Sequence, residues 1–158
     1  HRGAADVGQE DDVVEREERR RDVRLVGEVG QAAALKLALN QLIGSLTATF
    51  ATSLAYARAE GVTAELFMDV LRPSALYAPT FDKKLGRILD GEYSNPTFPL
   101  RLLRKDLDLF ARAALGVGIV PRSALAALEV VDAAAALGLA DSDYSALAEG
   151  LLRRSPSP

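Results

Sequence analysis

Residues Gly27 to Asn40 read GEVGQAAALKLALN, and the reading of this stretch decides the fold. Two glycines three apart give way to an alanine-rich run of high helix propensity, in which Lys36 and Asn40 lie one turn apart on a shared face. Helical spacing persists until Gly61, a good left-handed terminator, so one long helix is expected from about Gln31 to Glu60. Leu35, Leu39, Leu42, Leu46 and Phe50 form one stripe along it, expected to pack. Lys36, Asn40, Gly44, Thr47 and Ala51 form an adjacent small and polar line, able to receive something. Lys36 is the only charged residue between Gln31 and Ala57. Such a lysine is either a proton-transfer group on a small-residue face or an ordinary side chain reaching for solvent.

Working outward, every later segment also has helical spacing. Thr63 can cap a short helix over about Ala64 to Leu71, with Glu65 in its first turn, and Pro73 closes it. Thr80 can cap a third helix that turns Phe81, Leu85, Ile88 and Leu89 inward and Asp82, Lys83, Lys84 and Arg87 outward, ending at Gly91. The prolines of YSNPTFP (Tyr93 to Pro99) predict an irregular, restricted loop. A fourth helix is expected over Leu100 to Leu115, a fifth from Pro121 to Gly138, and a sixth over Ser142 to Leu152 capped by Asp141. The fold class is therefore all-α, a multi-helix domain built around one long helix. Residues 1–22 read as a charged, disordered lead-in, 23–152 as the helical domain and 153–158 as a disordered tail. Val23 to Val26 could form a short strand or an extended link.

Composition removes several chemistries. The chain has no cysteine, and its one histidine is His1, so a cysteine nucleophile, a thiolate zinc site and a histidine triad are excluded, and no metal is expected. Residues 1–22 hold five arginines and eight acidic residues, which leaves the remaining chain with 14 of each sign. Without a basic field, and with 6% aromatic residues, nucleic-acid binding is not expected. Leu37 to Ala57 is long enough to span a bilayer, but seven polar residues within it favour a helix surrounded by protein. The GVGIVP stretch at Gly116 to Pro121 follows a helix and lacks the third glycine of a dinucleotide fingerprint, so it reads as a helix–helix turn. Lys105 and Asp106, neighbours on the helix after the rigid loop, are either site residues or part of a solvated face. The lack of cysteine points to the cytoplasm or an organelle interior.

Four segments in order carry a resemblance: GEVGQAAALKLALNQLIG, ARAEGVTAELFMDVL, NPTFPLRLLRKDLDLFARAA and LGLADSDYSAL. Together they resemble the C-terminal domain of the β-hydroxyacid dehydrogenase family, which includes 3-hydroxyisobutyrate dehydrogenase and the glyoxylate/succinic semialdehyde reductases. The resemblance implies a helical domain like the C-terminal domain of 6-phosphogluconate dehydrogenase, normally preceded by a dinucleotide-binding domain with the active site in the cleft between them. It implies that Lys36 is the catalytic lysine that exchanges a proton with the carbonyl oxygen, and that Asn40 binds substrate. Lys105 and Asp106 are implied to lie at the cofactor, NAD or NADP, bound mainly by the absent domain. The substrate implied is a small hydroxyacid or its semialdehyde. One departure is Ala32, where the family usually has a third glycine. Two other readings are a non-catalytic helical interaction module derived from the family and an imine reductase-like enzyme. A homo-oligomer formed through the long helix is expected, with no nucleic-acid or membrane partner.

Overall fold

A computed structural model describes residues 29–151. The lead-in, the expected link at Val23 to Val26 and the tail beyond Leu151 lie outside the described residues. The chain divides into two units between Ala33 and Ala34, and the second holds every described residue beyond the first few of the long helix.

Five α-helices follow one another: α1 Val29–Ala59, α2 Ala64–Leu71, α3 Pro79–Asp90, α4 Leu100–Gly116 and α5 Arg122–Ala134. A π-helical turn, Ala135–Leu139, and a 3-10 helix, Tyr144–Leu151, complete the described chain. Among the described residues there is one isolated bridge, Pro99 to Asp143, and no named strand. No described helix is long and apolar enough to cross a membrane.

The long helix ends as its sequence requires, with Gly61 at φ 86°, a conformation that a Cβ disfavours. Thr63 then accepts a hydrogen bond from the Leu66 N–H and caps α2. The third helix begins differently from expectation. Pro79, whose fixed φ suits a first helical turn, starts α3 after Ala78, and Thr80 lies inside the helix with its Oγ1 3.1 Å from the Tyr144 hydroxyl. The expected sixth helix is also corrected. It is a 3-10 helix entered through Asp143, whose carboxylate accepts the Ser145 N–H, whereas Asp141 pairs with Arg101.

The packing of α1 is the reverse of what residue size suggests. Gly44, Thr47, Ala48, Ala51 and Leu54 are buried, while Leu35, Leu39, Leu42 and Leu46 are exposed. Small residues let α1 and α4 approach closely: a Cβ on Gly44 would stand 3.2 Å from side-chain atoms of both Leu103 and Leu107. The line of small and polar residues is thus a packing seam from Gly44 onward, and the leucine stripe faces outward. Ala48 and Ala51 join Leu103, Leu107, Val131 and Leu147 in the larger core cluster. Phe50 belongs to a second cluster, stacked on Phe81 at 4.5 Å between ring centroids, with Leu54 and Met68 beside it. Thr47 brings a cost, because its buried hydroxyl has no hydrogen-bond partner.

Candidate functional site

Asn40 lies on α1, four residues before Gly44, where the helix begins to press against α4. Its Nδ2 donates to Asp106 Oδ2 at 2.6 Å, a bond between residues 66 apart in sequence. Asp106 is buried on the inner face of α4 although it follows the exposed Lys105. Adjacent residues on a helix point about 100° apart, which is how one turn supplies both an anchored carboxylate and an exposed ammonium. Lys105 Nζ still reaches to 3.6 Å from Asp106 Oδ1. Lys36, one turn before Asn40, is exposed and has no hydrogen-bond or ion-pair partner among the described residues. Three of the four sequence-derived site residues therefore meet directly, and the fourth lies one helical turn away on the same helix.

A second tie fixes α1 close to this point. Gln41 Nε2 donates to Ser45 Oγ at 3.0 Å and to Ser123 Oγ, at the start of α5, at 3.1 Å. Sequence reasoning missed this contact. Gln41 and Ser123 are individually unremarkable, and no local spacing links positions 82 apart.

The start of α4 depends on a deeper network, and here the outward placement expected for Lys84 is overturned. Lys84 is 7% exposed, and Nζ donates to both Asp143 oxygens at 2.9 Å and to Thr97 Oγ1 at 3.0 Å, with the Tyr144 ring centroid 4.4 Å away. A charged residue tolerates such burial when an opposite charge and further hydrogen bonds replace its water. Asp143, fully buried, also accepts from the N–H and hydroxyl of Thr97 and of Ser145. Burial alone would raise its pKa, but the bonds from Lys84 and Ser145 outweigh that effect and hold it at about 2.

Through this carboxylate the 93–99 loop is joined to the 140–144 segment. The Asp143 N–H donates to the Tyr93 carbonyl and the Tyr144 N–H to the Phe98 carbonyl, both at 2.9 Å. Pro99 offers no capping side chain, so the first N–H groups of α4, those of Leu100 and Arg101, donate instead to the carbonyls of Ser142 and Ala140. The rigid loop thus fixes the entry of the helix that carries Lys105 and Asp106. Beside it, desolvation and a hydrogen bond to Glu149 raise the pKa of Tyr93 well above its ordinary value.

Elsewhere, a depression of about 440 Å³ between α3 and the following loop is lined by residues of mixed charge, including Arg87, Asp90 and Glu92, and not by Lys36 or Asn40. Among the described residues no group of three or more His, Asp and Glu side chains could hold a metal ion.

Residues 30–151 match the family model described as NAD-binding of NADP-dependent 3-hydroxyisobutyrate dehydrogenase. The chain belongs to the 3-hydroxyisobutyrate dehydrogenase family. Within this dehydrogenase family it is 35% identical over 127 residues to glyoxylate/succinic semialdehyde reductase 2, chloroplastic, of Arabidopsis thaliana, covering 80% of this chain and 35% of that protein. It is 36% identical over 122 residues to the human cytokine-like nuclear factor N-PAC, covering 77% of this chain and 22% of that protein. A crystal structure of 3-hydroxyisobutyrate dehydrogenase from Salmonella typhimurium superposes with a TM-score of 0.70 at 26% identity, over 76% of this chain and 42% of that one. The chain spans about a third of the reductase and under a quarter of the nuclear factor. The family is NAD(P)-dependent, and its all-α part is the fold found here.

Proposed function

We propose that this chain supplies the substrate-side half of an NAD(P)-dependent oxidoreductase that interconverts a small hydroxyacid and its semialdehyde or oxo form, with Lys36 as the proton donor. The observation that carries the reading is the Asn40–Asp106 bond, which ties the Lys36 helix to the Lys105–Asp106 turn of α4. Asp106 takes one amide hydrogen of Asn40, so the other N–H and the amide oxygen are left to orient a substrate. Lys36, one turn away and without a partner of its own among the described residues, gives its proton to the carbonyl oxygen during reduction and takes it back during oxidation. Bound NAD(P)H supplies the hydride that reaches the carbonyl carbon. The residues present fit the nicotinamide end of such a cofactor: Lys105 is an exposed cation whose backbone is fixed beside a buried, anchored carboxylate. The Gly116 to Gly118 turn has no part in holding the pyrophosphate, because it joins α4 to α5 rather than a strand to a helix.

Glyoxylate and succinic semialdehyde, for which the plant relative is named, are the substrates to try first. A second reading, a non-catalytic interaction module, is favoured by the comparable identity to a protein named as a nuclear factor. The two separate in a chimera that joins residues 29–151 to the dinucleotide-binding half of the Arabidopsis reductase. Oxidation of NADPH by either aldehyde supports the enzyme. Tight NADPH binding with no turnover of glyoxylate, succinic semialdehyde or the semialdehyde of 3-hydroxyisobutyrate supports the module.

A further inference from the structure

Lys84 and Asp143 are a buried pair of opposite charges that the proposed chemistry does not use. Such a pair often stabilises a fold no better than apolar side chains of the same volume. Its distinctive effect here is to join three elements at one carboxylate. Asp143 takes Lys84 from α3, Thr97 from the loop before α4, and Ser145 from the 3-10 helix. Arg87, one turn after Lys84, steadies the same loop from outside, donating to the carbonyls of Ser94 at 2.6 Å and Asn95 at 3.2 Å.

The first turn of α4 hangs from this junction. Pro99 bridges to Asp143, and the N–H groups of Leu100 and Arg101 donate to the Ser142 and Ala140 carbonyls at 2.9 and 2.8 Å. Leu103 and Leu107 press on α1 at Gly44 and set the distance between the helices, but apolar contacts are non-directional and hold position along the axis weakly. The directional bonds at the start of α4 set that position. Asp106 lies six residues beyond Leu100, about 9 Å along the helix, so a displacement of the first turn is carried to it. Its bond from Asn40 is 2.6 Å long, and a slip of about 1 Å breaks such a bond.

We propose that Lys84, Asp143 and Thr97 are positioning residues for the Asn40–Asp106 contact, acting along α4. The catalytic consequence rests on the reading of Asn40 as a substrate residue; the mechanical link does not.

Lys84→Met endangers the whole fold, so the deciding variant is Thr97→Val. It keeps the side-chain shape and the backbone N–H bond to Asp143, and removes the hydroxyl that donates to Asp143 and accepts from Lys84. In the whole chain, the side-chain amide signals of Asn40 in a proton–nitrogen correlation spectrum read the bond to Asp106, and their absence in Asn40→Asp identifies them. Thr97→Val shifts the bonded proton toward the value of a solvated amide. Thr97→Ser, which keeps the hydroxyl, restores it. Thr63→Ala, which removes the cap of α2, leaves it in place. In the reductase chimera, Thr97→Val lowers kcat/KM for the aldehyde by about tenfold to a hundredfold, and adds little to the loss in Asn40→Ala because both act through one contact. An Asn40 signal unmoved by Thr97→Val overturns the proposal even if stability falls. So does a loss of kcat/KM that is additive with Asn40→Ala. A parent chimera without turnover counts against the proposed function alone, and the Asn40 signal still decides the link.

Discussion

Asn40 and Asp106 are joined by a 2.6 Å hydrogen bond between α1 and α4, and that contact brings two separate sequence motifs together. Because Asp106 is only 6% exposed, removing its donor leaves a carboxylate with little water to replace it. Asn40→Ala is expected to cost about 1–3 kcal/mol in urea unfolding. Asp106→Ala combined with Asn40→Ala should show a coupling of about 0.5–3 kcal/mol relative to the single variants. Strict additivity would mean that the bond does not hold the site.

The Lys84–Asp143 pair sets a second expectation. Lys84→Met strands a fully buried carboxylate and should destabilise the fold by about 3–5 kcal/mol. Lys84→Arg does not restore it, because the longer planar guanidinium does not fit the compact space between Asp143, Thr97 and the Tyr144 ring. Wild-type stability in Lys84→Met would contradict the network.

Acid should act through the same carboxylate. The Asp143 pKa is depressed from 3.8 to about 2, so the folded state binds its proton less readily than the unfolded chain. Its contribution is complete above the unfolded value and is lost as pH falls through the folded one. Unfolding free energy should therefore drop between roughly pH 4 and pH 2, with Asp143 supplying on the order of 2 kcal/mol. Asp143→Asn is less stable at neutral pH, and its stability falls less steeply over that window.

Thr47 offers a change in the opposite direction. Its hydroxyl is buried without a partner, whereas Thr52, further along the same helix and exposed, donates to the Ala48 carbonyl. Thr47→Val keeps the shape and removes the orphan, and it should raise stability by about 1 kcal/mol in the same assay. A loss of that size would show that the hydroxyl has a partner after all.

Much of the helix layout was legible from local signals. Thr63, Gly61 and Gly91 mark boundaries through their own backbone chemistry, and the structure places each boundary there. What was not legible depends on distant partners. Lys84 reads as a surface residue until Asp143, 59 residues later, is brought beneath it. The leucines of α1 read as core because large apolar residues usually are, but Gly44, Ala48 and Ala51 give the closer approach to α4 and take the inner face. Asp141 is the cap expected on local grounds, but it pairs with Arg101, and the bonds from Lys84 and Thr97 hold Asp143 at the entry of the last helix instead. For the site, periodicity put Lys36 and Asn40 on one face, while the meeting of Asn40 with Asp106 is a tertiary fact.

Proton transfer by Lys36 is read in the turnover number of the reductase chimera with Lys36 replaced. Lys36→Ala should lower kcat by about 10²–10⁴-fold while the helical signal and NADPH affinity stay near those of the parent. Lys36→Arg should fail in the same way, because a guanidinium keeps its proton at working pH. A Lys36→Ala chimera that turns over within a few-fold of its parent would show that Lys36 is not the proton donor.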